Sequence, residues 1–588
     1  MTALIGVGHT LHESTEARKT HVWLLADLHR SQPQHLAYSG PHHGNSWSGG
    51  CRLIKASNFR YPYKHKKRWL GEGSFRAEML DIISNPLLSL PLLGAVAIGG
   101  AWVLKPSAPR HALPPGPRAL PLIGNLHQWP TAKPWLTFNS WFKEYNSDIL
   151  YMNVAGQHVV ILGSRKKCMD LLDKRSATYS DRARLPLWID LMKWDFNFVF
   201  LPYGTKWREH RKSFNDYFHP SVVYKYNAKQ TRGARMMARQ ILASPENAVD
   251  HIRFAVTSVI MDVAYGIHIA ENNDPYIEIA ESAISSLGLA TIPGTLPADL
   301  FPILKYIPSW LPGAGYKRYA QSVAHINHVF ATKPWNATKD KLAKGEASES
   351  IAETLIENLA EGDDEEVARN TAAACYVGGT DTAICTLRIF LLAMVLHPEA
   401  QRKAQEELDA VIGDRLPTFE DREQLPYVRA LLKEVTRWQP VTPMGHAHRV
   451  TEDDVYDGYF IPKGTLVATN VWSMLNDPEA YPEPAKFNPD RFLKDGEIDP
   501  DVLDPAQVAF GFGRRICPGR FFSADNTFII VSTLLSAFNF RPPLDAQGKP
   551  ILPEIDMSPG LVSYCKPFEM VITPRSGHIG KLLSEVEV

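Results

Sequence analysis

The sequence predicts a mainly α-helical protein carrying small β-sheets. A long helical pattern runs from about Val367 to Leu396, behind the acidic run Glu361-Gly362-Asp363-Asp364-Glu365-Glu366, whose carboxylates complement the positive end of a helix dipole. Two more helices follow, Tyr427 to Trp438 and the apolar stretch Phe521 to Phe538. Strand character gathers instead between Asp148 and Leu162, where Ile149, Tyr151, Val154, Val159 and Ile161 give the alternating, β-branched look of a small sheet.

The chain has 588 residues, 45% of them apolar, enough for a large core. Lys+Arg and Asp+Glu each number 63, so the formal charge is zero: no global basic field points to nucleic acid and no acidic excess to solvated disorder. The six cysteines (Cys51, Cys168, Cys375, Cys385, Cys517, Cys565) are scattered without a C-x-x-C pair, which argues against a zinc site or a disulfide scaffold and for a reducing, cytosol-facing compartment. Cys375 and Cys385 lie in apolar helical sequence and read as core. There is no internal repeat, and beyond the proline-rich stretch near residue 115 no compositional break, so the bulk of the chain reads as one domain.

In chain order, residues 1–78 show no sustained period and read as a poorly ordered extension; its basic cluster Lys64-His65-Lys66-Lys67-Arg68 reads as a solvated run. From Ile82 to Leu104 there are 23 residues without a charge. As a helix they span about 34 Å, enough for a bilayer core, so residues 79–105 are expected to form a transmembrane anchor. Positive charge flanks both ends, so charge alone does not orient it. Met79 stands directly before this run, and translation starting there is the corresponding expectation. Pro114-Pro115-Gly116-Pro117 stiffens a hinge over residues 106–125, because proline fixes φ and pushes its predecessor extended. The main domain is then residues 126–588.

Within it, Trp207 and Arg211 sit one helical turn apart and so face the same partner. The aromatics Trp188, Trp194, Phe196, Phe198 and Phe200 either line a pocket or fill the core. The apolar, proline-broken stretch from Ala298 to Gly315 reads either as a loop dipping into a membrane surface or as buried loop packing. Mid-helix comes Gly378-Gly379-Thr380-Asp381-Thr382. Two interior glycines cost about 1 kcal/mol each relative to alanine, so something offsets them; they leave a groove, and the threonine hydroxyls compete for i−4 carbonyls. Glu434 and Arg437, three apart, share a helix face. Finally, Phe510-Gly511-Phe512-Gly513-Arg514-Arg515-Ile516-Cys517-Pro518-Gly519 sets one cysteine in a glycine- and arginine-rich loop before a helix. Gly511, Gly513 and Gly519 allow close backbone approach, while Arg514, Arg515 and the helix start favour a thiolate. Such a sulfur is either a haem-iron ligand or a buried structural cysteine.

The loop matches F-x-x-G-x-R-x-C-x-G and resembles the haem-binding loop of the cytochrome P450 family. Three further motifs resemble that family in order and spacing: Gly378 to Thr382, Glu434-x-x-Arg437, and Phe487-Asn488-Pro489-Asp490-Arg491-Phe492, with Asp490 at the usual Glu position. The resemblance covers roughly Leu113 to Arg575 and is most like membrane-bound fungal members. It implies the cytochrome P450 fold, a triangular helical domain with a minor β domain. It implies haem b with Cys517 as axial ligand, and Phe510, Gly513, Gly519, Trp207, Arg211, His448, Arg449 and Arg515 around the cofactor. Thr382 would be the proton-relay hydroxyl and Asp381 the acid behind it. Glu434, Arg437 and Arg491 would form a buried network that locks the ligand loop. Ala374, Val377, Gly378, Thr442, Pro443, Met444, Leu561 and Val562 are the candidate substrate contacts.

The implied activity is monooxygenation of an apolar small molecule in secondary metabolism or xenobiotic oxidation. The implied location is the endoplasmic reticulum membrane, single-pass, with the catalytic domain facing the cytosol. No G-x-G-x-x-G domain appears, so electrons from NADPH are expected through a partner flavoprotein, NADPH–cytochrome P450 reductase, with cytochrome b5 as a second donor. A haem-thiolate isomerase or peroxygenase and a non-catalytic membrane haem sensor are the alternatives.

Overall fold

A computed structural model describes residues 111–271, 274–290, 302–362 and 364–585. The extension 1–78, the start at Met79, the anchor 79–105, the first hinge residues 106–110 and the segment 298–301 lie outside the described residues.

Helix α1 (Pro134–Glu144) starts on a proline, whose missing N–H costs nothing in a first turn, and buries Trp135 and Phe138. The expected strand region folds as a hairpin, β1 (Ile149–Val154) with β2 (Gln157–Leu162), in register from Ile149 opposite Leu162 to Val154 opposite Gln157. The chain then turns helical through α2 (Thr205–Phe218), α3 (Asn227–Ala243), α4 (Ala248–Tyr265), α5 (Pro275–Ala290), α6 (Gly315–Ala343) and α7 (Glu366–Leu396). After them come α8 (Pro398–Ile412) and α9 (Pro426–Trp438), then strands β3 (His448–Arg449) and β4 (Leu466–Thr469). The chain closes with α10 (Arg520–Ala537), β5 (Phe538–Arg541) and β6 (Val571–Pro574).

The largest sheet has the order β1-β2-β4-β3, with β2 and β4 parallel and the other pairs antiparallel. The parallel pair joins residues some 300 positions apart in the chain. Among the described residues the remaining sheets are two-stranded, so the fold is mainly α with small separate sheets, as the sequence predicts.

Helix α7 organises the core, packing against α2, α4, α6, α9 and α10. Among the described residues it is also the one helix long and apolar enough to cross a membrane, yet 72% of its most apolar window is buried inside the protein. Its two glycines act differently. A Cβ on Gly379 would lie 2.5 Å from Cδ1 of Ile260, so Gly379 lets α4 press close. A Cβ on Gly378 would meet nothing within 4 Å, because that position opens onto a cavity. Cys375 and Cys385 are buried, as their apolar surroundings suggest.

Candidate active site

The cysteine loop follows a short helical turn (Ala506–Ala509) and is closed by the Cys517 amide donating to the Phe510 carbonyl at 2.8 Å. Gly513 has φ 57°, and a Cβ there would stand 2.0 Å from the Leu172 carbonyl oxygen. Its role is therefore to let the loop press against the Met169–Lys174 turn, and it does not line the cavity. Gly519 caps α10, and its amide donates toward the Cys517 sulfur without itself lining the cavity.

The cations beside that sulfur are not the expected Arg514 and Arg515 but Arg211 and Arg520. Arg211 reaches from α2 to the Ile516 carbonyl at 2.7 Å, and Arg520 returns to the Cys517 carbonyl at 2.9 Å. Arg514 binds the Tyr203 hydroxyl instead, and Arg515 donates to the carbonyls of Ser180 and Leu201 at 2.8 and 2.9 Å. Burial pushes the Cys517 thiol up, against the pull of the Gly519 amide, Arg211 and Arg520. A coordinated metal cation would supply the missing stabilisation of the thiolate.

The sulfur opens onto a cavity of about 1170 Å³. Phe510, Arg515, Trp207, Arg211 and His448 line it, as do Val377, Gly378, Asp381 and Thr382 of α7 and the wall residues Thr442, Leu561 and Val562. Other sequence candidates fall elsewhere. Arg449 lies outside the cavity lining: its guanidinium faces Asp181 at 3.4 Å with 43% of the side chain exposed, because the β3 register turns it outward. Ala374 is buried in the apolar cluster that holds Phe330 and Trp335. Met444 packs between two apolar clusters, and the Pro443 carbonyl accepts from the Trp472 amide at 3.1 Å; neither lines the cavity. Of the five early aromatics, Phe198 and Phe200 reach the cavity, while Trp188, Trp194 and Phe196 fill the core.

Sequence reasoning missed Arg182, which is buried on the cavity wall and donates to the carbonyls of His446 and Ala447 at 2.7 and 2.8 Å. No local pattern marks it. Burial pushes Arg182 well below the ordinary guanidinium value, with Arg515 adding repulsion. Burial likewise holds Arg211 and Arg515 down at about 10. His446 and His448 are pushed down by burial and by Arg182. The buried Nη1 of Arg515 also has no acceptor. A cluster of desolvated cations with an orphaned donor fits the two carboxylates of a haem, beside a sulfur that can bind its iron. Among the described residues no group of three or more His, Cys, Asp or Glu is placed to hold a bare metal ion.

On α7, Thr382 Oγ1 donates to the Gly378 carbonyl at 2.7 Å, the i−4 competition anticipated for this glycine-rich turn. The Asp381 carboxylate accepts from the hydroxyl of Tyr564, a partner 183 residues away that sequence reasoning also missed. Burial raises Asp381, while the Tyr564 hydroxyl and Arg253 oppose the rise.

Behind the loop, Glu434 and Arg437 are both fully buried. Glu434 accepts from Arg437 Nε and Nη2 at 2.7 and 2.8 Å, from the Asn488 amide at 2.7 Å, and from Arg491 Nε at 3.3 Å. Arg437 continues to the Leu475 carbonyl and Arg491 to the Pro482 carbonyl, so the network pins the segment that leads into the cysteine loop.

A family model described as Cytochrome P450 matches residues 114–570. Cytochrome P450 monooxygenase COX2 of Coprinopsis cinerea is 44% identical over 480 residues, covering 80% of this chain and 91% of that protein. Cytochrome P450 monooxygenase COX1 of the same fungus is 41% identical over 484 residues, covering 80% and 93%. Tryptamine 4-monooxygenase of Psilocybe cyanescens is 39% identical over 507 residues, covering 85% and 99%. The match runs from the proline hinge to the residue before the last strand and includes every residue that lines the cavity, and the chain belongs to the cytochrome P450 family of monooxygenases.

Proposed function

We propose that this chain is a haem-thiolate monooxygenase of fungal secondary metabolism or xenobiotic oxidation. It carries out RH + O₂ + two electrons + two protons → ROH + H₂O on an apolar small molecule, with electrons from NADPH delivered by a separate flavoprotein reductase. The observation that carries the reading is one cavity holding the Cys517 sulfur, a set of buried cations and the Asp381–Thr382 pair. Bound haem would supply an iron at which dioxygen is reduced and cleaved.

The chain's own residues supply the rest. Cys517 ligates. Arg182, Arg211, Arg515 and His448 would hold the propionates, and Trp207 lies under the Arg515 guanidinium at 4.3 Å from the ring centre. Thr382 Oγ1 lines the cavity with its proton on the Gly378 carbonyl at rest, so delivery requires that hydroxyl to turn toward the cavity, with Asp381 as the acid that resupplies it. Val377, Leu561, Val562, Phe198 and Phe200 give the cavity an apolar lining that excludes water and favours apolar substrates. An isomerase or peroxygenase has no need of dioxygen proton delivery, so the intact Asp381–Thr382 pair favours the monooxygenase.

The anchor at 79–105, the hinge at 106–125 and the catalytic domain at 126–588 belong to the same proposal, as does a cytosol-facing position on the endoplasmic reticulum. Tyr306, Ile303 and Trp310 are 70–76% exposed on one apolar segment, which supports membrane-surface contact there. Reconstitution with a fungal reductase and NADPH, screened against lipophilic compounds by spectral shift and product analysis, tests the reading. NADPH-dependent hydroxylation that Cys517→Ala abolishes is the expected result; turnover that survives the loss of Cys517 refutes it.

A further inference from the structure

We propose that Tyr564 is a positioning residue for proton delivery, its phenol holding the Asp381 carboxyl in place and setting how tightly that carboxyl keeps its proton. The inference rests on the reading of Asp381 as the acid behind Thr382.

The geometry comes from two distant parts of the chain. Residues 559–564 form a wall of the cavity, with Pro559, Leu561 and Tyr564 all lining it. This wall is pinned at its backbone. The Ser563 amide donates to the Val441 carbonyl at 2.8 Å, Cys385 Sγ of α7 donates to the Ser563 carbonyl at 2.9 Å, and the Tyr564 amide donates to Ser558 Oγ at 2.9 Å. The phenol is therefore delivered to α7 from a fixed point, and its hydroxyl donates to Asp381 Oδ2. Thr382 meanwhile spends its own proton on the Gly378 carbonyl. In the resting arrangement the acid is thus bonded to the tyrosine, and the alcohol to its own helix.

Burial works in the opposite sense, favouring the neutral acid and making it slower to release its proton. A donor aimed at the charged form counters this. The other groups facing Asp381 are Arg253 from α4, which also favours the carboxylate, and Glu281 from α5, which opposes it. Those two are paired to each other at 3.0 Å and act on Asp381 in opposite senses, and each acts less strongly than the Tyr564 hydrogen bond. Cys385 lies one turn further along α7 and is held neutral by burial. Tyr564 is consequently the group whose loss should change the proton affinity of Asp381 most.

The test uses the full-chain holoenzyme. Infrared difference spectra over a pH series follow the protonated-carboxyl band that Asp381→Asn removes. In Tyr564→Phe that band should persist to higher pH, reflecting about tenfold tighter proton binding, the effect of one hydrogen bond to a charged group. Reductase-driven NADPH oxidation under air, in H₂O and D₂O, gives the second readout. Its solvent isotope effect should rise in Tyr564→Phe and in Asp381→Asn, and Tyr564→Phe should add nothing in the Asp381→Asn background. The ferrous carbonyl spectrum should be unchanged throughout, and a merely structural tyrosine would leave the carboxyl titration where it was. An unshifted titration in Tyr564→Phe, or a shifted one with an unchanged isotope effect, overturns the role of Tyr564 alone. An unchanged isotope effect in Asp381→Asn overturns the acid assignment beneath it as well.

Discussion

Glu434→Gln should cost this protein about 3–5 kcal/mol and much of its haem, because it removes one charge from a buried set of three. Glu434 and Arg437 have no exposed side-chain surface and Arg491 only 7%. The carboxylate takes four donors: Arg437 Nε and Nη2, the Asn488 amide and Arg491 Nε. Glutamine keeps the shape and one acceptor oxygen, but turns an NH₂ group toward donors. It leaves two guanidinium charges buried without a counter-charge and at least one N–H unpaired. Against a typical total stability of about 5–15 kcal/mol, this is about a fifth or more. The exposed pair Lys403–Asp490, at 38% and 47% exposure, provides the contrast, since Asp490→Ala should cost about 1 kcal/mol or less.

The assay is urea unfolding followed by tryptophan fluorescence, with haem content per protein measured on the same preparations. A second comparison isolates the charge effect: Glu434→Met with Arg437→Met should cost less than Glu434→Met alone, because the pair's desolvation is then relieved. Glu434→Gln matching the Asp490→Ala variant in both midpoint and haem content would refute the argument.

Gly513→Ala should empty the protein of haem more thoroughly than Gly511→Ala. The first sets a Cβ 2.0 Å from a backbone oxygen, whereas the second meets nothing within 4 Å and bears only the strain of φ 82°; haem-to-protein ratios decide. Arg515→Leu should accelerate haem loss to an apomyoglobin acceptor while changing apo-protein melting little, since the relief of a desolvated charge offsets the two carbonyl hydrogen bonds that are lost. Stability should fall as pH drops below about 6.5, ahead of carboxylate protonation. His158, His210, His251 and His397 are all held down by burial, so the unfolded chain takes up protons that the folded chain excludes. His397, stacked on Phe487 and edge-on to Trp438, should carry part of this, and His397→Phe should flatten the fall in melting midpoint between pH 7 and 5.

Local sequence determined the elements and their chemistry. The expected helices Val367–Leu396, Tyr427–Trp438 and Phe521–Phe538 start one residue later than those that form and end at the same residue or one beyond. Acidic first turns, apolar spacing and proline starts are properties of neighbouring residues, and so is the loop that presents Cys517 beside two glycines and an N-terminal helix turn. The spacing of Glu434 and Arg437 was equally readable, because three residues along a helix fix a shared face.

Which side chains meet across the chain was decided only by the tertiary structure. Arg449 looked equivalent to Arg515, yet the register of a two-residue strand turns it to Asp181 and away from the cavity. Gly378 and Gly379 are adjacent, but one opens onto the cavity and the other seats Ile260. Arg182 and Tyr564 belong to no motif, and their importance arises from what packing sets beside them. Periodicity specifies which face of an element is apolar; the distance between two faces depends on every side chain packed between them, and that information is spread over the whole chain.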